Sequence, residues 1–197
     1  MKASFLLGLT GSIGMGKSTT SAMFAAEGIP VWDADAAVHR LYAKAGKAVA
    51  PITTLFPQAV NDGAVSRGEL KSIIAANPMA LSAIESIIHP LVAADRDAFV
   101  AAAPVGLIVL DIPLLFEKGT ETTLDATLVV TAPADLQRKR VLARPGMTEA
   151  HFATILARQM SDREKRMRAT HVVETLDLAS TKAYVQALIT YIRAAHA

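Results

Sequence analysis

A chain of 197 residues with 52% apolar and 19% charged residues is long enough for one domain with a sizeable core, which excludes a disordered or fibrous class. Its net charge of +2, with the basic residues scattered apart from a cluster between Arg138 and Arg168, is too small to argue for nucleic-acid binding. No cysteine occurs, which removes disulfides, thiolate metal sites and a thiol nucleophile. With neither a signal-peptide h-region nor an apolar run of bilayer length, the expectation is a cytoplasmic enzyme or binding protein with no membrane partner.

In chain order, the apolar run Phe5–Thr10 reads as a buried strand, and Gly11-Ser12-Ile13-Gly14-Met15-Gly16-Lys17-Ser18 comes directly after it. This stretch fills the phosphate-binding pattern G-x-x-x-x-G-K-[ST], with a strand before it and a helical pattern after. Gly11, Gly14 and Gly16 would let the backbone turn its N–H groups inward, and the helix after them adds its positive end. Lys17 would reach the β and γ phosphates, and the Ser18 hydroxyl would hold Mg²⁺. The dinucleotide pattern G-x-G-x-x-G fails, because Thr19 stands where the third glycine belongs. A GTPase is also excluded, since the chain's only asparagines, Asn61 and Asn77, do not form the base-reading Asn-Lys-x-Asp.

The next strand, Ile29–Trp32, is expected beside the phosphate-loop strand, and Asp33 succeeds it with Asp35 two residues on. An acid at the carboxyl end of a strand stands where α/β sheets place their ligands, so Asp33 would orient an acceptor hydroxyl and take its proton. Asp35 would begin the next helix or help to place a metal, and capping is the alternative use of both. From Ala34 to Ala103 no strand is expected, only helical segments broken at Pro51, Pro57, Asn61-Asp62-Gly63 and Pro90. Ser66 with Glu69, and Ser161 with Glu164, fit capping boxes, and Asn77-Pro78 fits a helix start.

Strands at Leu107–Leu110, Thr127–Thr131 and Val172–Val173 complete an alternation that implies an α/β fold with a parallel sheet covered on both faces. Asp111 ends the Leu107–Leu110 strand, where an acid would hold a metal-bound water or cap the next turn. A helix opened by Pro133 would carry Arg140 and Arg144 four apart on one face, as a phosphate-binding pair or as a solvated basic face.

Taken together, GLTGSIGMGKST, VWDAD, DGAVSRGEL, ESIIHP, LDIPLLFE and QRKRVLARPGMTEAHFATILARQMS run from Gly8 to Ser161 in an order and spacing that resembles the dephospho-coenzyme A kinase family. The resemblance implies a single P-loop kinase domain with a five-stranded parallel sheet flanked by helices. Its core would be about 1–33, 104–133 and 169–197, with a helical substrate-binding insertion at about 34–103 and a helical lid at about 134–168. It implies ATP and Mg²⁺ as cofactors and dephospho-CoA as the small-molecule partner, phosphorylated on its ribose 3′-hydroxyl in the last step of coenzyme A synthesis. Asp33 would be the catalytic carboxylate, and Gly11 to Thr19 would bind ATP. Arg140 and Arg144 would close over the phosphates. Arg67, His89 and Glu117 lie in the family's substrate-side motifs, beside bland alternatives: a capping turn for Arg67, a helix end for His89 and a surface position for Glu117. Ser12 and Met15 depart from the family's loop, and Thr170, Thr175 and Asp177 stand where it shows an Asp, an Asn and a Gly near the adenine.

Overall fold

The computed structural model describes residues 4–196. Five strands, β1 (Phe5–Thr10), β2 (Val31–Asp33), β5 (Leu107–Asp111), β6 (Ala126–Thr131) and β7 (His171–Glu174), form one sheet in the order β2-β5-β1-β6-β7. The strands are parallel, with Leu7 paired to Val109 on one side and to Ala126 on the other. Every residue of β5 and β6 is buried, which is why these segments read as unbroken apolar runs rather than as alternating patterns. The second strand starts later than the sequence suggests. Pro30 has no N–H to give a ladder, yet its carbonyl accepts from Val109 N at 2.9 Å. The sheet also corrects the expected neighbours, because β5 lies between β1 and β2 and β1 holds the centre.

The chain divides into two compact units, one comprising the stretch up to Trp32 and from Ala103 onward, the other Asp33–Ala102. In the first unit, Leu7, Leu9, Leu128 and Val130 pack with Phe24 of helix α1 (Lys17–Ala26) and with Val185, Ile189 and Ile192 of helix α9 (Leu178–Ala195). A smaller cluster of Leu115, Phe116 and Val129 is joined by Met160. The stretch 134–168 folds as three short helices, α6 (Ala134–Leu142), α7 (Glu149–Leu156) and α8 (Asp162–Arg168). Helix α8 opens on a complete capping box, with Ser161 Oγ accepting Glu164 N–H and Glu164 accepting Ser161 N–H.

The second unit is helical with one exception. Helices α2 (Ala34–Tyr42), α3 (Val49–Leu55), α4 (Arg67–Ala76) and α5 (Met79–Ala102) enclose Leu41, Ile52, Leu70, Ile84 and Ile88. Between α3 and α4, strands β3 (Val60–Asn61) and β4 (Ala64–Val65) form an antiparallel hairpin in a stretch expected to hold no strand. Asp62 and Gly63 both have positive φ, 51° and 78°, the backbone of a tight two-residue hairpin turn. Asp-Gly is thus a turn between strands, not a break between helices, because the flanking Val60 and Val65 pair across it. Two of the expected breaks are absent as well. Pro51 stands in the first turn of α3, where its missing N–H costs no helical bond. Pro90 lies inside α5, where burial of Ile84 and Ile88 on the inner face keeps the helix continuous. Among the described residues no helix is long and apolar enough to cross a membrane.

Candidate active site

The phosphate loop takes its shape from three glycines used in two ways. Gly14 and Gly16 adopt φ of 78° and 90°, a region side chains disfavour. Gly11 needs space instead, because a Cβ there would stand 2.4 Å from Val130 Cγ2 and 2.8 Å from its carbonyl oxygen. Gly16 is also the N-cap of α1, and no side chain caps that end. The first N–H groups of the helix therefore keep the donors and the positive partial charge that an anion needs. Ser18 and Thr19 are exposed in the first turn, while Met15 turns inward, 3% exposed, into the core over β1 and β6. The departure at Met15 is thus a packing choice that leaves the loop's backbone intact.

Lys17 forms an ion pair with Asp111 at the carboxyl end of β5. Asp111 is 1% exposed, so a cation must be near for it to stay charged at modest cost. The pair holds the lysine ammonium at the mouth of the loop.

Arg140, on α6, donates to Thr175 Oγ1 at 3.0 Å and to the Thr175 carbonyl at 2.6 Å. Thr175 Oγ1 in turn lies 2.9 Å from the Met15 carbonyl oxygen and 3.2 Å from that of Thr131, between which it shares its one proton. Arg140 is thereby tied, through one threonine, to the phosphate loop. Arg144 does not share its helical face. Helix α6 ends at Leu142, because Pro145 and Gly146, the latter at φ 74°, cannot continue it, and Arg144 is left exposed in the turn. Asp33 closes β2 and caps α2, accepting Ala36 N–H on Oδ1 at 2.9 Å, whereas Asp35 is exposed in the first turn of that helix.

The dephospho-CoA kinase family model matches residues 5–179. A dephospho-CoA kinase of Cereibacter sphaeroides is 64% identical over 189 residues, covering 96% of each chain, and one of Ruegeria pomeroyi is 55% identical over 190 residues with the same coverage. The chain belongs to the dephospho-CoA kinase family. A solved Thermus thermophilus structure superposes on it with a TM-score of 0.87 at 34% identity, covering 97% of this chain and 99% of that one.

Within this dephospho-CoA kinase family member, the residues of the substrate-side motifs are differently placed. Arg67 opens α4, and its guanidinium lies 5.9 Å from the centre of the Tyr42 ring. Burial raises the Tyr42 hydroxyl pKa, and the Arg67 charge opposes that shift. His89 is 58% exposed in mid-helix, with Nε2 3.9 Å from Glu85 Oε1, and it ends no helix because α5 runs on through Pro90. These two and Asp33 belong to the second unit, while the phosphate loop, Asp111, Arg140 and Glu117 belong to the first. A largely apolar cleft lined by Phe5, Pro30, Leu107 and Ile192 lies at the amino ends of the strands, opposite the phosphate loop, and is no part of this site.

Glu117 is not an open surface side chain, being 16% exposed. Its Oε1 accepts Met160 N–H at 2.8 Å and lies 2.8 Å from Nζ of Lys165, which is fully buried. Burial alone would raise its pKa, but the Lys165 ammonium and the Met160 N–H outweigh it and hold the carboxyl below the usual range. A depressed folded-state pKa contributes stability above the ordinary carboxylate range, and that contribution is lost as pH falls through the folded value. Glu117→Gln is therefore expected to lower stability at pH 7 by about 2 kcal/mol, or roughly 4–8 °C in Tm at this chain length. The gap from the parent protein should narrow only as the pH falls below about 4.5, the ordinary carboxylate value, and on through the lower folded value. Melting curves across that range check it, and a gap that stays constant would rule out the ion pair as its source.

The three positions that depart from the family's C-terminal pattern have structural work. Thr170 and Thr127 exchange hydrogen bonds at the start of β7, with Thr170 N donating to Thr127 Oγ1 at 3.0 Å. Asp177 caps α9 by accepting Ser180 N–H at 2.8 Å, and that backbone bond lowers its pKa. Nothing in the local sequence marks Thr175 as the link between Arg140 and the loop. Its role arises from chain segments meeting in space.

Proposed function

We propose that this protein phosphorylates the ribose 3′-hydroxyl of dephospho-CoA with ATP, giving coenzyme A. The observation that carries the reading is a complete phosphate loop, with Lys17 held at its mouth and an uncapped helix end behind it, in a member of this family. Phosphoryl transfer proceeds through a loose, metaphosphate-like transition state, so the protein's work is positioning and charge neutralisation. Lys17 supplies a positive charge to the β and γ oxygens, and the first N–H groups of α1 bind the phosphate chain. Arg140, already beside the loop through Thr175, supplies a second cation as the segment 134–168 closes, with Arg144 joining from the turn after α6. Asp33 orients the acceptor hydroxyl and takes its proton, and Arg67 and His89 in the helical insertion hold the acceptor.

Mg²⁺ bound with the nucleotide would help to neutralise the charge of the phosphate chain. The exposed Ser18 hydroxyl and the Asp111 carboxylate are the groups that would hold it. One hydroxyl and one carboxylate suit a hard cation that keeps most of its waters. The same reading places the enzyme in the cytoplasm, working on small molecules without nucleic-acid or membrane partners.

The acceptor is tested by coupling ADP release to a panel of alcohols. Dephospho-CoA is expected to raise ATP turnover strongly, and AMP, shikimate and gluconate to leave it near the hydrolysis background. A simple nucleoside monophosphate that serves equally well would replace this reading with a nucleoside kinase.

A further inference from the structure

Ile13 is the third residue of the phosphate loop, and both its backbone groups are taken by side chains from 134–168. Its N–H donates to Gln159 Oε1 at 3.1 Å, and its carbonyl accepts from Gln137 Nε2 at 2.8 Å. The amide orientations are forced, since a backbone N–H can face only the amide oxygen and a backbone carbonyl only the amide nitrogen. Gln137 is 6% exposed on the inner side of α6, one turn before buried Val141, where an apolar residue would be the ordinary choice. A buried amide is retained at low cost only if it is bonded, and the Ile13 carbonyl is its partner. Gln159 is held from behind as well. The next residue, Met160, donates its N–H to Glu117, which pairs with buried Lys165.

We infer that Gln137 and Gln159 are positioning residues for ATP binding at the phosphate loop. They clamp the phosphate loop from both sides at Ile13, and the Glu117–Lys165 pair anchors the segment that delivers Gln159. The inference rests on the proposed kinase activity. The clamp couples the segment carrying Arg140 to the conformation of the loop that receives the triphosphate, so that ATP binding and the placement of Arg140 are set together.

The test uses pairs of substitutions in the full-length protein, read by calorimetric titration with ATP, by kcat and KM for ATP, and by Tm. Gln137→Met and Gln159→Met keep volume and lose the hydrogen bond. Each is expected to weaken ATP binding and raise KM for ATP by roughly three- to tenfold, with kcat changed less and the fold retained. The decisive comparison is Gln159→Glu against Gln137→Glu. Both add the same charge beside the same residue, but the first keeps an acceptor for the Ile13 N–H while the second sets a carboxylate oxygen against the Ile13 carbonyl. Gln159→Glu is expected to bind ATP several-fold more tightly than Gln137→Glu.

Equal losses in the two Glu variants would overturn the clamp, as would Met variants that bind ATP within twofold of the parent. Met variants too unstable to assay would also count against it, because they would make the glutamines determinants of folding first. Calorimetry with ATP does not depend on the acceptor. A failed acceptor panel with intact clamp behaviour would therefore strike the substrate assignment alone.

Discussion

Lys17→Ala is expected to lower kcat/KM for phosphoryl transfer by about 10²–10³-fold, the usual cost of deleting one well-placed charge-stabilising group. The ion pair with Asp111 adds a complication that the loop motif does not reveal. Removing the ammonium strands a buried carboxylate, so Tm should fall along with activity. Two losses with one cause would be ambiguous. The double variant Lys17→Ala with Asp111→Asn separates them, because a neutral amide no longer needs the missing cation. Its Tm should return most of the way to the parent's, while its activity stays well below that of Asp111→Asn alone, the reference for losing that carboxylate. If instead activity returned together with Tm, Lys17 would be a structural residue and the loop would not work as described.

Asp33→Asn is the second large effect, and the cap geometry makes it a clean one. Asp33 Oδ1 accepts Ala36 N–H at the start of α2, and asparagine caps a helix about as well as aspartate does. The substitution therefore keeps the local fold and removes the negative charge and the proton-accepting capacity. A drop in kcat of about 10²–10⁴-fold is expected, with ATP affinity and Tm little changed. Asp33→Ala should add a stability loss of about 1 kcal/mol from the missing cap. Kinetics, ATP titration and melting on both variants check the set. An Asn variant that turns over near the parental rate would remove Asp33 from the chemistry and shift attention to Asp35 and Asp111.

Much of the site is legible in the chain because its signals are contiguous. Gly11 to Ser18 are legible as a pattern because all eight positions are contiguous, with a strand before them and a helix after. The capping box at Ser161 and Glu164 is legible for the same reason. The Asp62-Gly63 hairpin is equally local yet passes for a break between helices, because the strands it joins are two residues each and show no alternation. The expected pairing of Arg140 and Arg144 fails at Pro145, a breaker in plain view whose effect on the residue before it outweighs a four-residue spacing.

Contiguous signals thus suffice for the phosphate-loop pattern, the alternation that demands a parallel sheet, the family, and the candidate carboxylate at the end of β2. Which groups meet depends on how distant segments pack. The sheet order inserts β5 between β1 and β2 and so brings Asp111 to Lys17, a partner 94 residues away. The clamp on Ile13 joins residues 124 and 146 positions apart, and Thr175 reaches Met15 across 160. The physical reason is the same in each case. Local propensity and turn chemistry act over a few residues, whereas the burial of Asp111, Gln137 and Lys165 is set by the packing of distant segments. A charge or amide that looks solvated in the sequence must then find its partner wherever the folded chain supplies one.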